Sequence, residues 1–365
     1  MSTLFHIFNS IQNTLFPWLE EALDPLSEKE QKFVQVLSLM DLQTHMKAYR
    51  WQGIGRKRKN RLSMAKAFIA KAIYNFETTD ILIDYLRGCK NTRRLCGWEN
   101  PWQVPSKSTF SRAFAQFSEG NLTQDIHEAM VKEHCGEKIA GHVSRDSTAI
   151  AAREKPAKKK NDDSVAQPKR KPGRPRKGEV VAPKPPKRLD LQPTRSLEDN
   201  LKDLPTQCDV GTKKNSKGYK ESWTGYKLHL DCIDGDIPVS TILTSASLHD
   251  SQAAIPLSQM SQERITNLYD LMDSAYDAPQ IHSFSKNLGH KPIIDHNPRR
   301  GEKIYMDPAT KARFAQRSSA ERVNSYLKDN YGGRNIRVKG AAKVMTHLMF
   351  GIIVITATQL FRLLE

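Results

Sequence analysis

A basic, proline-rich segment between Lys155 and Arg188 limits what this chain can fold into. It carries 13 Lys and Arg against three acids, together with seven prolines and almost no large apolar side chains. Such a segment cannot bury enough apolar surface to offset the entropy that it would lose on ordering. We therefore predict a disordered insert over residues 155–188, so the folded structure must be built from the sequence on either side.

The sequence before the insert has the periodicity of helices. Ser27-Glu28-Lys29-Glu30 is a capping box ahead of an apolar run that begins at Phe33. Further helical patterns begin at Ser63 and near Asp80, and Pro105–Phe114 has the pattern of a capped helix start. We predict an all-α N-terminal region over residues 1–135.

From Ile139 the pattern changes to short β-type runs. Tyr226–Cys232 alternates apolar and polar residues, which places Tyr226, Leu228, Leu230 and Cys232 on one face of a strand. Helical patterns follow over residues 312–329 and 341–364. Strands, then strand–helix alternation, then helices predict an α/β domain with a mixed sheet flanked by helices over residues 139–365.

Composition indicates the cellular compartment of the protein and the class of its binding partner. The net charge of +17 and a pI near 9.6 make nucleic acid the leading partner class. The five cysteines show no CxxC spacing, which favours a reducing intracellular compartment and argues against a zinc site. The most apolar stretch, Leu348–Phe361, is short for a membrane span and predicts a buried core helix. We expect a cytoplasmic protein without a membrane partner.

Three carboxylates stand out by their position. Asp146 ends the first predicted strand, Asp273 ends a later one, and Glu321 lies on the helix that follows. Phosphoryl transfer with two metal ions needs carboxylates from separate rigid elements, and hard oxygen ligands suit Mg²⁺. Solvated acids at strand ends are also common, so position alone leaves both interpretations open. Asp231, Asp234 and Asp236 are interpreted as turn carboxylates.

Asp270 is the nearest competitor of Asp273 for this predicted site. It lies three residues earlier on the same predicted strand, so the two side chains would face opposite sides of the sheet. Only one of them can then join the site.

The helix around Glu321 predicts a charged stripe. At 100° per residue, four side chains share a narrow sector beside an apolar face: Phe314, Arg317, Glu321 and Lys328. Such a stripe could present Glu321 to a metal and the two cations to phosphates. It could equally be an ordinary Arg317–Glu321 i,i+4 salt bridge, and spacing does not decide between these alternatives.

Several ordered motifs resemble prokaryotic insertion-sequence transposases of the DDE type. Phe314-x2-Arg317-x3-Glu321-x6-Lys328 is similar to that family's Tyr-x2-Arg-x3-Glu-x6-Lys signature, with Phe in place of Tyr. Other similar blocks are Gly225–His229, Ala246–Asp250, Asp273-x2-Tyr276-Asp277, and, in the helical region, Leu95–Trp98 and Ser108–Arg112. The resemblance covers roughly residues 30–150 and 205–360. Asp273 and Glu321 lie too close in sequence to enclose the large β insert that some relatives have.

The resemblance implies a ribonuclease-H-like catalytic domain and a DNA transposase that cuts element ends and joins them to target DNA. Asp146, Asp273 and Glu321 would then hold two Mg²⁺ ions, with Mn²⁺ expected to substitute. Arg317 and Lys328 would contact DNA near the scissile end. The implied partners are double-stranded DNA, as terminal inverted repeats and target, and a second copy of the chain in a homodimer on DNA at the nucleoid of a prokaryote.

Two basic clusters are further candidates for DNA contacts. Lys171–Lys177 resembles an AT-hook, in which Arg174 and Arg176 would lie in the narrow A·T minor groove. An unspecific basic linker is the alternative. The second cluster is expected to contact the DNA backbone rather than the bases. It comprises Arg56, Lys57, Arg58, Lys59 and Arg61.

Two other functions remain open from the sequence. A structure-specific nuclease on the same ribonuclease-H-like fold would cut DNA without joining it. A DNA-binding protein derived from a transposase would bind without chemistry, which the presence of all three carboxylates disfavours.

Overall fold

A computed structural model describes residues 2–49, 51, 53, 55, 58–157, 186–214, 217–299 and 301–364. Most of the basic insert, residues 158–185, lies outside the described residues. The disorder predicted for it therefore stays a prediction.

Helices fill the described part of the chain up to residue 135. They are α1 Ser2–Ser10, α2 Phe16–Ala22, α3 Glu28–Ser38, α4 Leu42–His45, α5 Arg61–Ile73, α6 Thr79–Gly88, α7 Lys90–Cys96, α8 Lys107–Glu119 and α9 Leu122–Cys135. The predicted capping box starts α3, where the Ser27 amide donates to Glu30 Oε2 at 2.9 Å and the Glu30 amide donates to Ser27 Oγ at 3.4 Å. The helical N-terminus is confirmed.

The described strands form one mixed sheet. They are β1 Ile139–Ala151, β2 Asp209–Lys214, β3 Lys220–Ile233, β4 Ile237–Ser245, β5 Thr266–Met272 and β6 Lys291–Ile294. The main order is β4-β3-β1-β5-β6, with β2 paired to the first part of β3. Strand β3 runs antiparallel to β1 and β4, whereas β5 is parallel to both β1 and β6. This sheet confirms the predicted ribonuclease-H-like α/β class.

Helices cover both faces of the sheet. They are α10 Arg188–Leu191, α11 Leu197–Asp203, α12 Ser251–Gln262, α13 Pro279–Asn287, α14 Pro308–Phe314, α15 Ser318–Asn330 and α16 Ala341–Arg362. Helix α15 packs against β1 and β3, and α12 packs against β3 and β4 from the other side. The two residues 145 and 146 of β1 therefore face different helices.

Helix α16 is buried along most of its length, from Leu348 to Phe361, while its first turn is partly exposed. Its Phe350, Val354 and Phe361 join one core with the N-terminal helices, while Leu348 and Ile352 join a second core with α15 and the sheet. Burial of each such side chain stabilises the fold by about 1.5–3 kcal/mol. By length and composition alone α16 could cross a membrane, but 83% of its most apolar window is buried in the protein, as in a core helix.

A glycine lets α15 and α16 approach each other closely. A Cβ at Gly351 would lie 2.7 Å from Leu327 Cδ1 and 2.7 Å from the backbone oxygen of Tyr331. Because one of these atoms belongs to the backbone, a larger residue would force the end of α15 away from α16. The position of α15 over the sheet thus depends on the small residue at 351.

Candidate functional site

Asp146 lies on β1, and Asp273 directly follows β5, the parallel neighbour of β1. The register pairs Ser144 of β1 with Leu271 of β5, and both aspartates lie two residues further along. Side chains two residues apart on a strand point the same way, and neighbouring strands are about 4.8 Å apart. Asp146 lies inside β1 rather than at its end, which corrects the prediction, because β1 continues to Ala151 in its pairing with β3.

Burial and like charge make these two carboxylates unusually basic. Burial raises the pKa of Asp146 to about 6, and the negative charge of Asp273 contributes to the rise. Burial also raises the pKa of Asp273, assisted by the charges of Asp250 and Asp295. Such perturbed carboxyls, each poorly compensated, are characteristic of functional sites.

Arg317 connects this pair to Glu321. Its Nη1 lies 3.9 Å from Asp146 Oδ1, its Nη2 forms an ion pair with Glu321, and its charge lowers the pKa of Asp273. The i,i+4 salt bridge of the second alternative therefore forms, and its arginine also lies beside Asp146. The role of the stripe towards a metal and phosphates stays a prediction. Glu321 itself remains 52% exposed.

The predicted helix over residues 312–329 is wrong in one respect. Helix α14 ends at Phe314, and a 3₁₀ turn over Ala315–Arg317 separates it from α15. The backbone N–H groups of this turn make i→i+3 hydrogen bonds that tighten the chain. The guanidinium of Arg317 lies 5.7 Å from the ring centroid of Phe314, so the side chain that replaces the family's tyrosine packs on the arginine.

Lys328 lies further along α15 in a cationic environment. Burial lowers its pKa, and the charges of Lys213 and Arg334 lower it further, while Asp146 acts in the opposite direction. Its ammonium group is thus close enough to sense both the carboxylates and the neighbouring cations. An anion at this position would relieve the repulsion among the three cations.

The donor set suits a divalent metal ion in its chemistry. Carboxylate oxygens are the ligands that Mg²⁺ prefers, and the mutual repulsion of Asp146 and Asp273 favours a bound cation. In the described part of the chain, no group of three or more His, Cys, Asp or Glu residues is close enough to hold a metal. Arg317 supplies the positive charge between the carboxylates in this conformation.

The other face of β1 carries a buried ion pair that is not predicted from the sequence. Arg145 donates from Nε and Nη2 to the two carboxylate oxygens of Asp231, both at 2.7 Å, and Ser261 Oγ donates to the same carboxylate at 2.7 Å. Asp231 is fully buried on β3 and is not a turn residue, which corrects the prediction. The alternation of β3, with Leu230 and Cys232 on one face, could have indicated that Asp231 faces inward from the other.

Asp270 is occupied on that second side. It accepts hydrogen bonds from Ser285 and from Asn267 Nδ2, the latter at 2.9 Å, and pairs with His290 at 3.1 Å. Asp270 and Asp273 therefore have separate surroundings, as the strand alternation predicts.

Two further side chains beside the carboxylates were not predicted. Asn324 Nδ2 donates to Asp146 Oδ2 at 2.9 Å, and Lys227 Nζ contacts Asp250 Oδ1 at 2.8 Å. Asn324 lies one helical turn after Glu321, a spacing that could have indicated a shared face. Lys227 and Asp250 lie in the Gly225–His229 and Ala246–Asp250 blocks, but nothing in their spacing predicts that they meet.

The predicted basic clusters are only partly described. Arg58 and Lys59 are exposed, whereas Arg61 donates from Nε to Gln116 Oε1 at 2.7 Å and so helps to join α5 to α8. Arg56, Lys57, Arg174 and Arg176 lie outside the described residues. Burial lowers the pKa of Arg61, and so do the charges of Arg58 and Arg112. These cations therefore form one basic patch.

Comparisons with known families agree with this architecture. A family model described as "Transposase DDE domain" matches residues 185–357, which contain Asp273, Arg317, Glu321 and Lys328. A second model, described as "Transposase domain (DUF772)", matches residues 21–116 in the helical region. A comparison with curated proteins gives no match.

Proposed function

Because this chain belongs to the DDE-type insertion-sequence transposases and is a DNA transposase, we propose that Asp146, Asp273 and Glu321 are its catalytic carboxylates. The reaction is cleavage of the phosphodiester at the element's ends, followed by transfer of the freed 3′-hydroxyl into target DNA. The observation that carries this assignment is the position of Asp146 and Asp273 side by side on β1 and at the end of β5, with Arg317 between Asp146 and Glu321.

Enzymes of this family use divalent metal ions. Two Mg²⁺ ions held by the three carboxylates would supply Lewis acidity and a nucleophile from water. Asn324 fixes Oδ2 of Asp146, which leaves Oδ1 directed at the open side where Arg317 lies. The Ala275 amide donates to Asp273 Oδ1 at 2.9 Å and holds that carboxylate in place. Neither contact consumes the full coordinating capacity of its carboxylate.

Arg317 and Lys328 are assigned to the phosphates of the DNA. Arg317 lies beside Asp146 and pairs with Glu321 in this conformation. With DNA bound, its guanidinium would instead hold a phosphate oxygen. Guanidinium groups bind phosphate through two parallel hydrogen bonds, whereas Lys328 acts as a point charge.

The remaining DNA contacts are assigned by charge. Residues 1–135 form the DNA-binding region, with Arg58 and Lys59 on the backbone of the terminal repeats, and residues 139–365 form the catalytic domain. A homodimer on DNA, in the cytoplasm, would bring two ends together. Arg174 and Arg176 act as an AT-hook, so changing both to Ala should abolish a preference for A·T-rich over G·C-rich duplexes in a binding assay.

The activity is tested with purified protein, Mg²⁺ and a DNA fragment that carries the two ends of the element. Joined products are expected, because a DDE transposase transfers the strand that it frees. Cut products without joining would indicate the nuclease alternative. Shifted but uncut DNA would indicate a DNA-binding protein without chemistry.

The carboxylate assignment is tested with Asp146→Asn, Asp273→Asn and Glu321→Gln. Each should lower cleavage by a factor of about 1000 or more while DNA binding persists. Glu263→Gln is the matched control, since Glu263 is exposed at the end of α12 beyond the opposite face of the sheet. Strand transfer at the wild-type rate by any of the three variants would remove that residue from the site.

A further inference from the structure

A cleft of about 460 Å³ lies between the helical region and the catalytic domain. Helices α5, α6 and α8 line one side, and the chain after α15 together with α16 lines the other. Its volume falls in the range of pockets that hold one small ligand, and it is far too narrow for a DNA duplex. None of the three proposed catalytic carboxylates lines it.

The cleft has an excess of positive charge. Its two acids are already paired, Glu77 with Arg337 at 3.1 Å and Asp80 with Lys107. Four further cations of the lining have no ion pair among the described residues. They are Lys71, Arg153, Lys339 and Lys343. Unpaired cations that converge on a cavity complement an anion.

Lys71 is the most enclosed of these cations. Burial lowers its pKa to about 8, and the positive charge of Arg337 contributes to the decrease. Its Nζ finds one hydrogen-bond acceptor among the described residues, the backbone oxygen of Glu77 at 3.4 Å. An ammonium group has three donors, so an anion in the cleft would supply the missing acceptors.

Part of the cleft is apolar and aromatic. Phe76 is half-buried and stacks on Tyr74 with ring centroids 5.3 Å apart, and the buried Phe114 and Phe350 also line the cavity. A free inorganic anion would make no favourable contact with such an apolar surface. A nucleobase does, because aromatic side chains bind bases of any sequence by stacking.

A series of cations leads from the catalytic carboxylates towards the cleft. Lys328 senses both Asp146 and Arg334, and Arg337 in the same connection between α15 and α16 lines the cleft. Consecutive phosphates of one strand could therefore follow this connection from the site into the cleft.

We propose that this cleft binds one unpaired nucleotide of a DNA strand, with its phosphate at Lys71, Lys339 and Lys343 and its base against the phenylalanines. The proposal rests on the chain's action on DNA and not on which carboxylates catalyse, so binding without metal tests it separately.

The test uses the full chain without divalent metal and measures fluorescence anisotropy of labelled DNA. A duplex with a single-stranded tail is compared with a blunt duplex and with a duplex whose tail lacks bases. The wild-type protein should bind the tailed duplex about tenfold more tightly than either of the others. The double variant Lys339→Glu/Lys343→Glu should lose this preference, and both lysines are exposed, so the fold should tolerate the change.

The matched control is Lys286→Glu/Lys291→Glu, two exposed lysines of α13 and β6 outside the cleft. It should keep the preference for the tail while general affinity falls with the loss of positive charge. Equal behaviour of the two double variants, or no preference for the tail in the wild-type protein, would overturn the proposal.

A competition experiment separates strand from free nucleotide. Deoxyadenosine monophosphate that displaces the tailed duplex at micromolar concentration would identify free nucleotides as occupants. Failure to displace it, with the preference for the tail intact, would identify the DNA strand. Displacement by inorganic phosphate at the same concentration as by the nucleotide would overturn the role of the base.

Discussion

Two neighbouring residues of β1 face opposite sides of the sheet and differ in how their charges are compensated. Arg145 is enclosed beneath α12, where Asp231 neutralises it through two hydrogen bonds of 2.7 Å. Asp146 faces α15, where Arg317 approaches only to 3.9 Å and the charge of Asp273 opposes its own. On the closed face of the strand a buried partner neutralises the charge. On the other, the open face, surplus negative charge lies beside the half-exposed Glu321.

The difference separates stability from function within a single strand. A closed, fully hydrogen-bonded pair holds β1 against β3 and has no capacity left for a ligand. The open cluster contributes little to the fold, because like charges repel, but it can accept cations and phosphates. Mutations on the two faces should therefore give opposite results in assays of stability and activity.

The largest effect is expected on the open face. Asp146→Asn removes a carboxylate that burial makes costly to ionise, so DNA cleavage should fall by a factor of about 1000 or more while the melting temperature holds or rises. Cleavage and thermal unfolding are measured on the same preparation. A large fall in melting temperature would show that Asp146 supports the fold as Arg145 does and would end the contrast.

On the closed face, Asp231→Asn should lower the free energy of unfolding by about 3–5 kcal/mol, because it leaves the buried Arg145 without its counter-charge. Urea unfolding measures the loss. Asp234→Asn is the control, since Asp234 is half-exposed in its pair with His142 and should matter by less than about 1 kcal/mol. Equal losses for the two variants would mean that enclosure adds nothing to the ion pair.

The closed face should also be sensitive to acid. Burial lowers the pKa of His229 to about 4, with Lys227 and Arg145 lowering it and Asp250 raising it. Between about pH 6.5 and 4 His229 is protonated in the unfolded chain but not in the folded chain. The free energy of unfolding therefore decreases as the pH is lowered through this interval, by about 3 kcal/mol at most.

His229→Gln should therefore flatten the decline of stability with acid, as followed by urea unfolding at a series of pH values. Burial also lowers the pKa values of His127 and His347, so the variant will still lose some stability in acid. A profile that matches the wild type throughout would show that His229 takes up its proton as readily in the folded chain as in the unfolded one.

The smallest change in stability is expected at the rim of the open face. Arg317→Ala should lower cleavage of cognate ends, yet alter stability by less than about 1 kcal/mol, because its partner Glu321 is half-exposed. Lys328→Ala should behave similarly. Arg322→Ala is the control, since Arg322 lies on the adjoining helix α15 but pairs with Asp236. Equal activity of Arg317→Ala and Arg322→Ala would remove the phosphate role.

Local sequence patterns predict helices and strands, but they do not predict contacts between residues that are distant in sequence. The capping box of α3 and the alternation of β3 are signals within a few residues, so helix and strand could be predicted there. Arg145 and Asp231 lie in different strands, and no local pattern indicates that one will neutralise the other. The prediction of a turn at Asp231 is wrong for this reason.

The candidate site was predictable only in part for the same reason. Asp146 and Asp273 follow from strand patterns and from a family resemblance, and their register then brings them side by side. The 3₁₀ turn before α15 was not predictable, since the apolar spacing on either side continues through it. Arg317, whose guanidinium lies 3.9 Å from Asp146, is the last residue of that turn.

Helix α16 also has a consequence for how the protein is made. It completes the core of the N-terminal helices and that of the sheet, yet it comes from residues 341–362. Domains ordinarily fold in turn as they leave the ribosome. Here neither half can complete its core until this helix has left the ribosome, so the nascent chain exposes apolar surface until residues 341–362 have been made. The helical region and the sheet therefore become fully folded together rather than one after the other.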